Sequence, residues 1–192
     1  MRKSVLLLIV PLMCLVLFPS MGSALGLEGV GGKVALIMPD GPADNNVGFG
    51  VIAELGTIVP HINQLKLETS ADYWGDSYDV TYYEWSWSSI SLNGTAKYEI
   101  PIGGNLVPFV GAGLSLVISR WKSEWKAASG VEDIWGNMAT ENSDSDFDIG
   151  THICGGVNIP LGPGLKIIAE GRYAMGGTDT LQLIGGIVVK LK

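Results

Sequence analysis

The stretch "SSISLNGTAKYEIPI", Ser88 to Ile102, decides the reading of the chain. Every second residue is apolar or small: Ile90, Leu92, Gly94, Ala96, Tyr98, Ile100 and Ile102. The residues between them are Ser89, Ser91, Asn93, Thr95, Lys97, Glu99 and Pro101, a polar set with a charge of each sign. Successive side chains of a strand point to opposite faces, so a period of two over this length predicts a β-strand with one apolar face. Asn93-Gly94 is a strong hairpin signal. The alternation runs through it without a change of phase, so the pair is expected in mid-strand. What remains open is which face meets water.

Seven further segments carry the same pattern. They are "GGKVALIM" from Gly31, "VGFGVIAELG" from Val47, "LKLETSADY" from Leu65 and "LVPFVGAGLSLVIS" from Leu106. The others are "FDIGTHICGGVNI" from Phe147, "LKIIAEGRYAM" from Leu165 and "TLQLIGGIVVKLK" from Thr180. Between them, "PHINQ", "IGGN" and "LGPG" are tight and carry Pro or Gly, as turns do. The alternate connections are longer and more polar, around "PDGPADNN", around "WGDSYDVTYY" and from Trp121 to Asp146; the last, "GGTDT", is short. An even strand count places both ends on the short-turn side.

The N-terminal run "MRKSVLLLIVPLMCLVLFPSMGSALG" has Arg2 and Lys3, an apolar stretch from Val5 to Phe18, and small residues at Gly22-Ser23-Ala24. It reads as a secretory signal peptide over 1–24, with the barrel over 25–192. Its removal takes the formal net charge from −7 to about −9, which makes nucleic acid a poor partner. Cys154 alone would then remain, so no intrachain disulfide is expected. Past residue 25 no apolar run is long enough for a membrane helix. Mean hydropathy is nevertheless +0.31, high for so acidic a chain.

The facing follows from volume and charge. The charged residues of the strand cores share one parity: Lys33, Glu54, Lys66, Glu68, Asp72, Lys97, Glu99, Asp148, Glu170, Arg172 and Lys190. An eight-stranded lumen is just wide enough to be filled by side chains. The small and polar set therefore goes inside, with His152, and the bulky aliphatic set needs an apolar exterior. A bilayer meets that need, because a closed barrel satisfies its backbone and leaves no edge. The fold expected is all-β, an eight-stranded antiparallel up-and-down transmembrane β-barrel. The lumen charges should interleave as ion pairs, Lys97 beside Glu99 and Glu170 beside Arg172, since an isolated buried ion costs several kcal/mol. Such a network plugs the lumen; a charged pore is the alternative.

At this point the chain resembles the small outer-membrane β-barrel family, which includes the OmpA transmembrane domain and OmpX. The carriers are "VPFVGAGLSL", similar to the family's Pro-aromatic-Val-Gly-Ala-Gly strand, and "LKIIAEGRYA", similar to its penultimate strand with an inward Glu and Arg. One departure is the ending "VKLK", where such proteins usually end in an aromatic residue. The resemblance implies the outer membrane of a Gram-negative bacterium, and lipid, lipopolysaccharide and the barrel assembly machinery as partners. It implies a non-enzymatic protein acting in envelope integrity, or in surface contact through its external loops. A narrow channel or lateral-gate transporter for small solutes is the alternative, and a lipid A-modifying enzyme a third.

Hydrolysis would need a Ser, a His and an acid together. His152 has Asp148 two inward positions away and no inward Ser beside it on its own segment, and His61 lies in a turn. "DSDFDIG" places Asp144, Asp146 and Asp148 at alternate positions, but the Gly is one place late for a calcium loop and the distal Glu is missing. No cofactor or metal is expected. All six Trp lie between Trp74 and Trp135. Some are expected in an external aromatic girdle. Trp85 and Trp87 are out of phase with Ile90, so facing lipid would require a bulge near Ser88-Ser89. Trp121, Trp125 and Trp135, in the longest connection, are the candidate contact residues of a surface ligand.

Overall fold

The computed structural model describes residues 25–40, 44–80, 83–103, 105–125, 141–176 and 179–191. The expected signal segment and Trp135 lie outside them. The alternating segments form eight strands: β1 (Leu25–Pro39), β2 (Asn46–Thr57), β3 (Leu65–Val80), β4 (Tyr83–Glu99), β5 (Val107–Trp125), β6 (Glu141–Pro160), β7 (Leu165–Met175) and β8 (Thr180–Lys190). Each pairs antiparallel with the next, and β8 closes on β1, giving a closed up-and-down barrel. Asn93 and Gly94 sit within β4, opposite Ser115 and Leu114, as the unbroken alternation requires.

Burial follows the parity of the sequence. Val34, Phe49, Val51, Leu114, Ile149 and Ile153 are exposed around the outside, while Lys33, Glu68, Lys97, His152, Glu170 and Arg172 are buried within. The alternation breaks once on β2. Glu54 lies opposite Glu68 and Gly56 opposite Leu67, so Leu55 is an extra residue. Gly56 takes a φ of +82°, which a side chain would strain. The phase therefore changes at this bulge: Thr57, not Gly56, continues the inward side and is buried.

The long connections are shorter than the sequence suggests, because the strands run on into them. β3 continues through Val80 and β4 begins at Tyr83, so "WGDSYDVTYY" is almost wholly hairpin. β5 reaches Trp125 and β6 starts at Glu141, taking up both ends of the Trp121–Asp146 stretch. These four strands have 16, 17, 19 and 20 residues, against 11 in β7 and in β8. A tilted strand crosses a bilayer in roughly 9–11 residues, so β3 to β6 overshoot it. Pairing of β2 with β3 reaches only Phe49–Tyr73, and that of β6 with β7 only Thr151–Met175. The barrel thus carries a four-stranded projection on its long-loop end.

Candidate functional site

Inward alternation brings residues from distant segments to one level of the lumen. Lys97 of β4 reaches Glu68 of β3 at 2.8 Å and Glu170 of β7 at 2.6 Å. Glu170 also holds Arg172 at 2.8 Å, and Arg172 approaches Asp72 at 3.8 Å. Asp72 pairs with Lys33 of β1 at 2.9 Å. Cations and carboxylates alternate along this chain, so each of these buried ions faces an opposite charge. The interleaving differs from simple adjacency along a strand. Glu170 and Arg172 do pair, but Lys97 reaches across the barrel instead of bonding Glu99, which accepts from Asn158 at 3.0 Å. Neighbours two apart on a strand stand side by side, whereas closure aims opposite walls at each other.

Nearer the short-turn end, Lys166 pairs with Glu54, and Lys66 meets Glu28 at 3.1 Å in a more exposed position. Between the two levels Ile52, Phe109, Ile168 and Val188 form an apolar cluster on the inward parity. The lumen is therefore not filled by small and polar groups alone. Lys97 sits 4.5 Å above the Phe109 ring, joining cluster and network. Lys190 is exposed at the strand end and Asp148 is partly buried near the opposite mouth. Neither joins these ion pairs among the described residues, a correction to the placement expected from parity alone. Glu28 and Lys166 are the members that the parity set from sequence lacks; Lys166 alternates in step with Glu170 and Arg172, and that inward parity is its signal.

His152 does have an inward serine, supplied by the neighbouring strand. Its Nδ1 lies 2.9 Å from the Ser115 hydroxyl, and its Nε2 lies 2.9 Å from that of Thr95. Ser115 donates to Asn93 Oδ1 at 2.7 Å. Asn93 is oriented by its Nδ2, which donates to Asp72 at 2.8 Å. A hydroxyl has one hydrogen. That of Ser115 goes to Asn93, so Nδ1 must carry a hydrogen and donate it to Ser115. Gly113 makes room for the ring: a Cβ there would stand 2.6 Å from His152.

The described tryptophans do not form an outer girdle. β3 and β4 pair without a register shift from Leu65–Tyr98 to Val80–Tyr83, so no bulge turns Trp85 and Trp87 outward. Trp74 and Trp87 meet edge to face at 4.2 Å, and Trp85 meets Trp121 the same way at 5.2 Å. All four share the inward parity and continue it onto the inner face of the projection. Asp76, Asp144 and Asp146 occupy the same face, and Trp121, Ser123, Asp144 and Asp146 line a cleft of about 230 Å³. Trp125 pairs in register with Tyr83 on this projection; its side chain is outside the described set. The outward aromatics are instead Phe and Tyr, with Phe49 and Tyr73 in contact at 5.3 Å.

Comparison with solved structures gives the same architecture. The chain is similar to Neisserial surface protein A, at a TM-score of 0.58 and 16% identity over 85% of this chain and 95% of that one. It is similar to Ail, the attachment invasion locus protein of Yersinia pestis, at 0.55 and 12% over 88% and 100%. A major outer membrane protein from Thermus thermophilus aligns at 0.57 and 10% over 85% and 99%. At such identities the likeness is one of fold. No curated protein sequence matches. The model of the outer membrane protein beta-barrel domain matches residues 11–183. An apolar belt around a closed barrel with a charged interior is the form that family takes in its membrane, and the chain belongs to the outer membrane protein beta-barrel domain family.

Proposed function

We propose that this protein is a non-enzymatic surface-contact barrel whose working part is the inner face of the four-stranded projection. The observation that carries the proposal is the continuation of the inward parity beyond the bilayer. It collects Trp85, Trp87 and Trp121 with Asp76, Asp144 and Asp146 above a filled lumen. Aromatic faces and carboxylates together suit basic side chains, through cation–π and charge-assisted contacts. Ail has been crystallised with the heparin analogue sucrose octasulfate; the acidic face here favours a partner of the opposite charge. The buried ion pairs and the apolar cluster beneath them argue against the channel alternative. The His152 hydrogen bonds argue against a hydrolase, because a ring that donates to Ser115 is not placed to take its proton.

The test compares adhesion of cells displaying the intact protein with cells displaying Trp87→Ala/Trp121→Ala, and with an Asp144→Asn/Asp146→Asn variant. Lysine-rich peptides immobilised on a surface serve as the defined probe. Both variants are expected to bind at least tenfold less while keeping heat-modifiable gel migration. Full retention of binding by both removes this face from consideration.

A further inference from the structure

Between the ion-pair network and the base of the projection the lumen keeps a small chamber of about 40 Å³. Trp74 and Trp87, in edge-to-face contact at 4.2 Å, border it on the projection side, and Arg172 borders it on the network side. Ser89, Ser91, Ser119, Thr180 and Gln182 contribute polar groups to its wall. Among the described residues Arg172 is the one charged member of the lining, and no carboxylate belongs to it. Asp72 stands behind the wall, paired with Lys33 and accepting from Asn93. The donors of this wall outnumber its acceptors. A guanidinium has five N–H groups. Arg172 is 2% exposed, and its Nε and Nη2 both bond Glu170 Oε1, at 2.9 and 2.8 Å. Its Nη1 stands 3.8 Å from Asp72, beyond hydrogen-bond reach. Three N–H of a buried cation thus have no protein acceptor among the described residues. Ser89 is also 2% exposed, and its hydroxyl has no partner among those residues. Ser91 accepts from Asn93 at 3.3 Å and Thr180 from Gln182 at 3.0 Å, so each of these hydroxyls still has a hydrogen to donate. Buried polar groups are as a rule hydrogen-bonded, and a wall of donors is completed by an acceptor.

We infer that this chamber binds one monovalent inorganic anion of chloride's size. Arg172 is its counter-charge, and the hydroxyls of Ser89, Ser119 and Thr180 with the Gln182 amide are its further donors. Volume and charge narrow the ligand. A space of this size holds one such ion or a few waters and is too small for a sugar or an acyl chain. Water brings hydrogens of its own, which this wall has few acceptors to take; a halide brings none. The network beneath sets three cations, Lys33, Lys97 and Arg172, against three carboxylates, Glu68, Asp72 and Glu170. A dianion would face Asp72 and Glu170 with one guanidinium to offset it, so a single negative charge is the better match. The anion leaves the Arg172–Glu170 bonds intact and gives the upper lumen the acceptor it lacks. It adds stability without opening a path. The inference is independent of the inner-face reading, whose acids Asp144 and Asp146 do not line the chamber.

The test pairs urea unfolding of the full barrel in lipid vesicles with anomalous diffraction from crystals grown in bromide. In the titration, chloride or bromide replaces gluconate at constant ionic strength. The urea midpoint is expected to rise and saturate with either halide, and the crystals should show one anomalous peak beside Arg172. Gln182→Leu should raise the half-saturating chloride concentration about tenfold or more, the worth of one hydrogen bond to a charged group. Ser119→Asp supplies a fixed carboxylate to the chamber and should abolish the chloride dependence in a folded barrel. Asp144→Asn/Asp146→Asn should keep it, so this inference and the inner-face reading fail separately. Equal midpoints in chloride and gluconate overturn the inference, as does an unchanged chloride dependence in both chamber variants. A bromide peak without saturable stabilisation is an adventitious ion only, and saturable stabilisation without a peak in the chamber places the anion elsewhere; either result overturns it.

Discussion

Glu170 shows what one side chain does in this barrel. It accepts from Lys97 and from Arg172, and all three are nearly without solvent contact. Removing it leaves Lys97 with Glu68 alone and Arg172 with only the 3.8 Å approach of Asp72, in a medium that screens charge poorly. Breaking a buried pair typically costs about 3–5 kcal/mol, so Glu170→Ala is expected to lose that much in urea unfolding from lipid vesicles. Glu28 faces Lys66 in a position open to water, and Glu28→Ala should change stability by less than about 1 kcal/mol. Equal effects from the two variants would mean the lumen is wetter than its burial implies. A second contrast concerns two glycines, one on β5 and one on β4. A Cβ on Gly113 meets the carbonyl of Gly94 and the His152 ring, whereas a Cβ on Gly94 meets nothing within 4 Å. Gly113→Ala should therefore destabilise by about 1–3 kcal/mol through overpacking, and Gly94→Ala should be nearly silent in the same titration.

A strand carries two solvents' worth of information, one per face. Leu114 and Ser115 are adjacent on β5, yet Leu114 is 62% exposed toward lipid and Ser115 is buried against His152 and Asn93. Leu114→Arg should cost ~2–4 kcal/mol in vesicle folding titrations, as cations do near the midplane. Ser115→Arg acts differently, by crowding the lumen and adding a charge beside Lys33 and Arg172. A harmless Leu114→Arg would reverse the assignment of faces. The same alternation explains why the strands are longer than their hydrophobic parts suggest. Beyond Ile118 the outward positions of β5 change from apolar to Arg120 and Lys122, while the strand itself continues to Trp125. Hydrophobic patterning records where lipid ends, not where the hydrogen-bonded ladder ends, so the hairpins beyond the bilayer read as loops.

For the whole molecule, the filled lumen and the projection lead to two outcomes. Planar bilayers containing the unmodified protein should show no large, steady channels, because ion pairs and the apolar cluster occupy the width available to eight strands. Reproducible conductance steps would refute the plug. Replacing Ser123 to Ser143 with a short Gly-Ser turn should leave a folded barrel with heat-modifiable migration. The deleted ladder lies past the crossing length, and closure entropy changes slowly with loop length. Loss of folding would show that the projection contributes to the barrel and does not merely stand on it.

By itself, the sequence determined the strand count, the closed antiparallel order and the facing of nearly every residue. A two-residue period is local, and in an eight-stranded barrel lumen width leaves one way to place bulky aliphatics. It also marked most of the network, since charges confined to one parity must end up together. Which charges pair was decided by closure, which sets Lys97 against Glu68 and Glu170 and leaves Lys190 at the rim. The pairing of β5 with β6 brought Ser115 to His152 from the neighbouring strand. Register decided the remainder. Only when Asp76, Trp87, Trp121 and Asp144 are aligned across four strands do the aromatic and acidic side chains of the projection become one surface. Those residues lie far apart in the chain, and no spacing along it announces that they share a face at the membrane edge.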